Sequence, residues 1–92
     1  RAKGLSQIEK LYEKIRRKPT PTDILFDEAD RLLRAYGFTQ RRPSGGSSHV
    51  IYTHPEMPGF QLAIPKHGTR LKKGYVIAIA NAIEAVKEIF GG

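Results

Sequence analysis

The order of hydrophobic patterns in this chain predicts an α+β two-layer sandwich, a three-stranded antiparallel sheet with helices on one face. Three observations predict it. Two amphipathic helical segments come first, three short β-rich segments punctuated by Gly and Pro follow, and a long apolar helical segment closes the chain. With 92 residues and no cysteine, there is room for one core and no disulfide or thiolate site to brace it.

The first helix is expected over residues 6–18, where Ile8, Leu11, Tyr12 and Ile15 repeat at helical spacing. Ser6 is placed to cap it, with Glu9 completing a capping box. Lys14, Arg16, Arg17 and Lys18 crowd its last turns, where the helix dipole favours cations, and Pro19 and Pro21 stop it. A second helix is expected over residues 26–36, with Leu25, Ala29, Leu32, Leu33 and Tyr36 as its apolar stripe. Asp27, Glu28 and Asp30 suit its first turns, and the pattern leaves open whether Ile24 and Leu25 are already helical. Gly37 followed by Phe38 predicts a C-terminal cap, the glycine left-handed and the phenylalanine folded back on the last turn.

Strands are expected over residues 38–42, 48–53 and 60–64, rich in β-branched and aromatic residues. In the third, Leu62 and Ile64 share one face and Gln61 and Ala63 the other. The last helix is expected over residues 73–90, with Val76, Ile79, Ile83, Val86 and Phe90 as a continuous stripe and four alanines that permit close packing. Nothing obvious is left to cover the second face of the sheet. The chain divides into an N-terminal helix with its proline linker, residues 1–21, and a compact domain, residues 22–92.

The charge points to a polyanion as partner. Sixteen Lys and Arg against nine Asp and Glu give a net +7. Residues 1–18 carry a net +5, residues 22–38 a net −2, and residues 39–74 again +5, so the strand region is the better anion-binding surface. The longest apolar stretch, residues 75–80, is far short of a membrane span, and no apolar run follows the basic N-terminus as in a secretory signal. A soluble cytoplasmic protein with no membrane partner is expected.

No phosphate-binding glycine loop, dinucleotide fingerprint, HExxH or nucleophile elbow is present. Of the three histidines, His49 and His54 differ by an odd number and face opposite ways on one strand, so no metal site is expected from them. His67 reads as shaping a turn, His54 as a strand-end residue without a special role, and Tyr52 as core. His49 stands out. With Val50 and Tyr52 turned to the helices, it faces the open side of the sheet, near Arg41, Arg42 and Lys66. An imidazole among cations is what metal-free RNA cleavage needs: a base for the 2′-OH, an acid for the departing 5′-oxygen, and positive charge for the phosphorane. From spacing alone the plainer reading, a surface strand residue, is the stronger. Arg70, Lys72 and Lys73 either bind phosphate or solvate the approach to the last helix.

A resemblance changes that balance. The segment FDEADRLLRAYGF, residues 26–38, resembles the opening helix of the HicA toxin family. SHVIYTHP, residues 48–55, is similar to that family's Gly-Ser-His-x-x-Tyr-x-His-Pro strand. IPKH, residues 64–67, followed by Leu71, Lys72, Lys73 and a terminal helix, is similar to the remainder. The resemblance implies a double-stranded-RNA-binding-domain-like fold. It implies a metal-independent mRNA interferase of a type II toxin–antitoxin pair, acting on mRNA and neutralised by a HicB-type antitoxin in an oligomeric complex, with no cofactor. The family's catalytic histidine maps onto His49, and its glycine loop onto residues 45–48, which brings Gly46 and Ser48 to the RNA. Ser47 stands where the family usually has Gly. Arg41, Arg42, Lys66 and Lys72 are assigned to RNA by charge and position alone. Two other functions compete: a noncatalytic RNA-binding module on the same fold, and an interaction domain for an acidic protein.

Overall fold

The computed structural model describes residues 7–41, 49–66 and 70–91. Its elements run α1 (Gln7–Ile15), α2 (Phe26–Ala35), β1 (Thr39–Arg41), β2 (His49–Thr53), β3 (Leu62–Pro65) and α3 (Lys73–Ile89). The strands form one antiparallel sheet in the order β1-β2-β3. This is the predicted α+β class, and it agrees with the double-stranded-RNA-binding-domain-like fold. The expected cap at Ser6 lies outside the described residues.

Helix α1 stops at Ile15, three residues before the expected end. Pro19 disfavours a helical conformation at the residue before it and offers no N–H to Ile15, so the last turn tightens, with the Arg17 N–H on the Lys14 carbonyl at 3.3 Å. Leu11, Tyr12 and Ile15 are buried in the same core as α2 and α3, each contributing on the order of 1.5–3 kcal/mol. At the start of α2 the backbone is still extended at Leu25, so successive side chains alternate. Ile24 and Phe26 therefore point inward, and Leu25, expected in the apolar stripe, is 43% exposed. The Glu28 carboxylate accepts the Leu25 N–H at 2.9 Å; this is half a capping box, because leucine has no acceptor to complete it.

The end of α2 follows the predicted cap. Gly37 has φ +94°, its N–H reaches the Arg34 carbonyl, and the Phe38 N–H reaches that of Leu33. Phe38 and Leu33 are both buried, which supplies the apolar contact of the motif. At the end of α3 the expected stripe fails. Val76, Ile79, Ile83 and Val86 are buried, but Phe90 is 67% exposed because it caps the helix beyond the last turn.

His54 corrects another expectation. It is buried, and its ring bridges two segments: Nε2 donates to the Tyr36 carbonyl at 2.9 Å while Nδ1 accepts the Glu56 N–H at 3.0 Å. The Glu56 donor fixes the neutral tautomer with its proton on Nε2. The ring also meets Phe38 edge-on at 4.8 Å. His54 thus pins the end of β2 to the end of α2. A Cβ at position 37 would lie 2.9 Å from His54 Nε2, whereas one at Gly59, also left-handed at φ +83°, would meet nothing within 4 Å. Gly59→Ala is expected to lose about 1 kcal/mol from backbone strain alone, and Gly37→Ala clearly more. Equal losses in urea unfolding would refute the role given to His54.

Candidate active site on the open sheet face

Alternation along β2 decides which residues line the open face. Val50 and Tyr52 are buried under the helices, and His49, Ile51 and Thr53 are half-buried on the other side. The register places Arg41 opposite Ile51 and Pro65 opposite His49. Paired residues share a face, so Thr39, Arg41, Ala63 and Pro65 join His49, Ile51 and Thr53 there. Arg41 is one diagonal step from His49, within reach of a long side chain. Among these residues there is one guanidinium, one imidazole and no carboxylate, which favours an anion.

Lys66 is exposed and directly follows Pro65, the partner of His49. Lys72 is exposed at the N-cap of α3 and belongs to the helical layer, not the open face. It nevertheless lies toward the His49 end of the molecule. Helix α2 turns tightly into β1, whose Thr39 pairs with Thr53 at the far end of β2, so the start of α2 points back toward the His49 end. A bridge between Leu25 and Arg70, and the Leu71 N–H on the Ile24 carbonyl at 2.8 Å, tie the approach to α3 beside the start of α2. Arg42, Gly46, Ser48 and His67 lie outside the described residues.

The geometry of this face is held by a polar cluster on the other side of the sheet, which sequence reasoning missed. Asp30 Oδ1 accepts the Tyr52 hydroxyl at 2.6 Å and the Gln40 amide at 2.9 Å, and Arg34 Nε spans both carboxylate oxygens at 3.0 Å. Gln40 also donates to the Tyr52 oxygen at 3.2 Å. One carboxylate on α2 thereby joins β1 and β2. The only sequence signal was a Tyr, a Gln and an Asp predicted on facing elements. Burial, then the hydrogen bond to Asp30, hold the Tyr52 phenol well above the ordinary tyrosine range. Its proton is committed to Asp30, and its ring faces away from His49. Tyr12 is raised in the same way, first by burial and then by its hydrogen bond to Glu84.

Three clefts of about 180, 230 and 260 Å³ run along α1, away from the His49 face. Among the described residues no group of three His, Asp or Glu side chains is placed to hold a metal ion. Nor is any helix there long and apolar enough to cross a membrane.

Fold and site together define a small α+β domain with a cationic sheet face around one strand histidine. Residues 26–85 match the family model described as HicA toxin of bacterial toxin-antitoxin systems, and the chain belongs to that family. Membership implies the toxin half of a toxin–antitoxin pair, with RNA as its target and an antitoxin as its partner. Comparisons with curated proteins and with solved structures found no match.

Two predictions follow from the buried phenols. Tyr52→Phe is expected to cost about 1–3 kcal/mol in urea unfolding, because Asp30 loses one of its donors, while leaving any RNA cleavage in place. Both phenols are raised in the folded state from the ordinary value of 10.0, so their contribution is complete below that pH and is lost as pH rises above it. Stability measured against pH is expected to fall from about pH 10 upward, and Tyr12→Phe with Tyr52→Phe should flatten that fall.

Proposed function

We propose that this protein is a metal-independent mRNA interferase in which His49 moves the proton that RNA cleavage requires. The observation that carries the reading is the position of His49: open face, central strand, diagonal to Arg41 and paired across to the strand end that leads into Lys66. Family membership supplies the class, and the charge of the face supplies the substrate's sign.

The chemistry balances without water or a cofactor. His49 takes the proton of a ribose 2′-OH, and the oxygen attacks the adjacent phosphorus. The P–O5′ bond breaks, and the imidazolium returns its proton to the leaving oxygen. The products are a 2′,3′-cyclic phosphate and a 5′-hydroxyl. Arg41 and Lys66 stabilise the dianionic phosphorane, and Arg42, Gly46 and Ser48 are assigned to the RNA backbone. Lys72 binds a flanking phosphate from the helical layer. Tyr52 takes no part, since its hydroxyl is held on the other side of the sheet.

In this reading residues 22–92 are the cleaving unit, to which residues 1–21 add α1. The setting is the cytoplasm, and a HicB-type antitoxin neutralises the enzyme in an oligomeric complex. An acidic antitoxin surface over the Arg41 face would block the site by competing with RNA for the same cations.

The test is cleavage of RNA in EDTA by the parent chain and by His49→Ala. The parent is expected to cut and leave 2′,3′-cyclic ends. His49→Ala should lose about 10²–10⁴-fold in rate with an unchanged urea midpoint, and Arg41→Ala about a hundredfold. Cleavage retained in His49→Ala sinks the assignment, and cleavage abolished by EDTA sinks metal independence. RNA binding without new ends in the parent would leave a binding module instead.

A further inference from the structure

Helix α1 lies outside the residues that match the family, yet it builds a cleft against α3. We propose that this cleft is a second phosphate site, which holds the RNA backbone through Arg17 and Lys18; the proposal rests on the RNA reading above.

The cleft has a volume of about 180 Å³ and lies between the last turn of α1, the segment after it and the outer side of α3. Its floor is apolar, from Ile15 and Ala80, and its rim carries Arg17, Lys18, Thr20 and Asn81. The carboxylate that lines it, Glu84, is already matched: Arg16 Nε sits 3.4 Å away, and the Tyr12 hydroxyl donates to the same oxygen. Arg17 and Lys18 are exposed and have no acidic partner among the described residues. The cleft therefore presents two uncompensated cations beside a hydroxyl and an amide that can donate to phosphate oxygens.

Cations around a helix C-terminus are often no more than partners for its dipole. Here the placement says more. Lys73, Ile77 and Asn81 are four residues apart on α3 and all exposed, so they form one stripe of about 12 Å. The stripe leads from the cleft to the start of α3, where Lys72 and Arg70 sit at the His49 end of the molecule. Ile77, 43% exposed in the cleft wall, offers a flat apolar surface for a ribose or base. The neighbouring cleft between α1 and α2 makes a control. It holds Lys10 and Arg31 but also Glu28, whose carboxylate has no cation paired with it among the described residues. Its third cation, Lys14, is paired with Asp23 at 3.3 Å. Lys10 and Arg31 face the Glu28 carboxylate, so the charge left unpaired is smaller than that of Arg17 and Lys18, although the two linings carry the same formal charge.

The experiment uses the full chain with His49→Ala, so that bound RNA stays intact. Binding of a short fluorescein-labelled single-stranded RNA is followed by anisotropy over a range of salt concentrations. Arg17→Gln with Lys18→Gln is expected to weaken binding about tenfold and to reduce the slope of log affinity against log salt by about 1.4, two phosphate contacts on a single strand. Lys10→Gln with Arg31→Gln removes the same charge elsewhere and is expected to leave the slope nearly unchanged. An unchanged slope in the first pair, or equal falls in both pairs, overturns the proposal. So does polyglutamate held by the parent and lost by the Arg17 and Lys18 pair, since the cleft would then select carboxylates. No RNA binding at all overturns it together with the RNA reading. With His49 intact, the first pair should cleave saturating RNA at the parent rate. That separates failure of this site from failure of the catalytic assignment.

Discussion

The carboxylate of Asp30 is the interaction on which the rest of this structure depends. It gathers the Tyr52 hydroxyl from the central strand, the Gln40 amide from the edge strand and the Arg34 side chain from its own helix. A buried or half-buried carboxylate is costly unless it is hydrogen-bonded, and here three donors compensate it. The same bonds commit β2 to one orientation. A one-residue slip would carry Tyr52 out of the core and His49 into it. The helical layer and the open face are thus fixed by a single polar choice, and the place of His49 on the open face is a consequence of where the tyrosine must go.

The two ends of the sheet are built for different tasks. At the Thr53 end, Gly37, Phe38 and His54 close the junction of α2 with the strands, using a left-handed glycine and a neutral imidazole with both nitrogens bonded. That end is packed and polar-satisfied. At the His49 end the chain gathers Arg41, Lys66 and the start of α3, with no carboxylate on the described open face to offset them.

Helix α1 adds a third helix to a layer that the family core builds from two. Its burial of Leu11, Tyr12 and Ile15 joins it to the common core, and Tyr12 and Arg16 both reach Glu84 on α3. Lys14 meets Asp23 at 3.3 Å and depresses that exposed carboxyl below its usual range, which ties α1 to the linker that follows it. The Tyr12 and Arg16 contacts match Glu84, the carboxylate that shares the cleft with the exposed Arg17 and Lys18.

The sequence by itself determined the order of elements, the Gly37 cap and the face of β2 that His49 occupies, because each is written in a local period: 3.6 for helices, 2 for strands, and a left-handed position only glycine takes easily. It also carried the family, in three short motifs at the right spacing. What it misplaced depended on neighbours. Leu25 and Phe90 fit an apolar stripe by count, yet one sits on extended backbone and the other beyond the last turn, where the stripe has nothing to pack against. His54 looked idle because its partners, the Tyr36 carbonyl and the Glu56 N–H, are backbone groups that leave no trace in side-chain pattern. The Asp30 cluster and the α1–α3 cleft were decided only in the tertiary structure, where residues from distant segments converge and their mutual compensation sets which charges remain for a ligand.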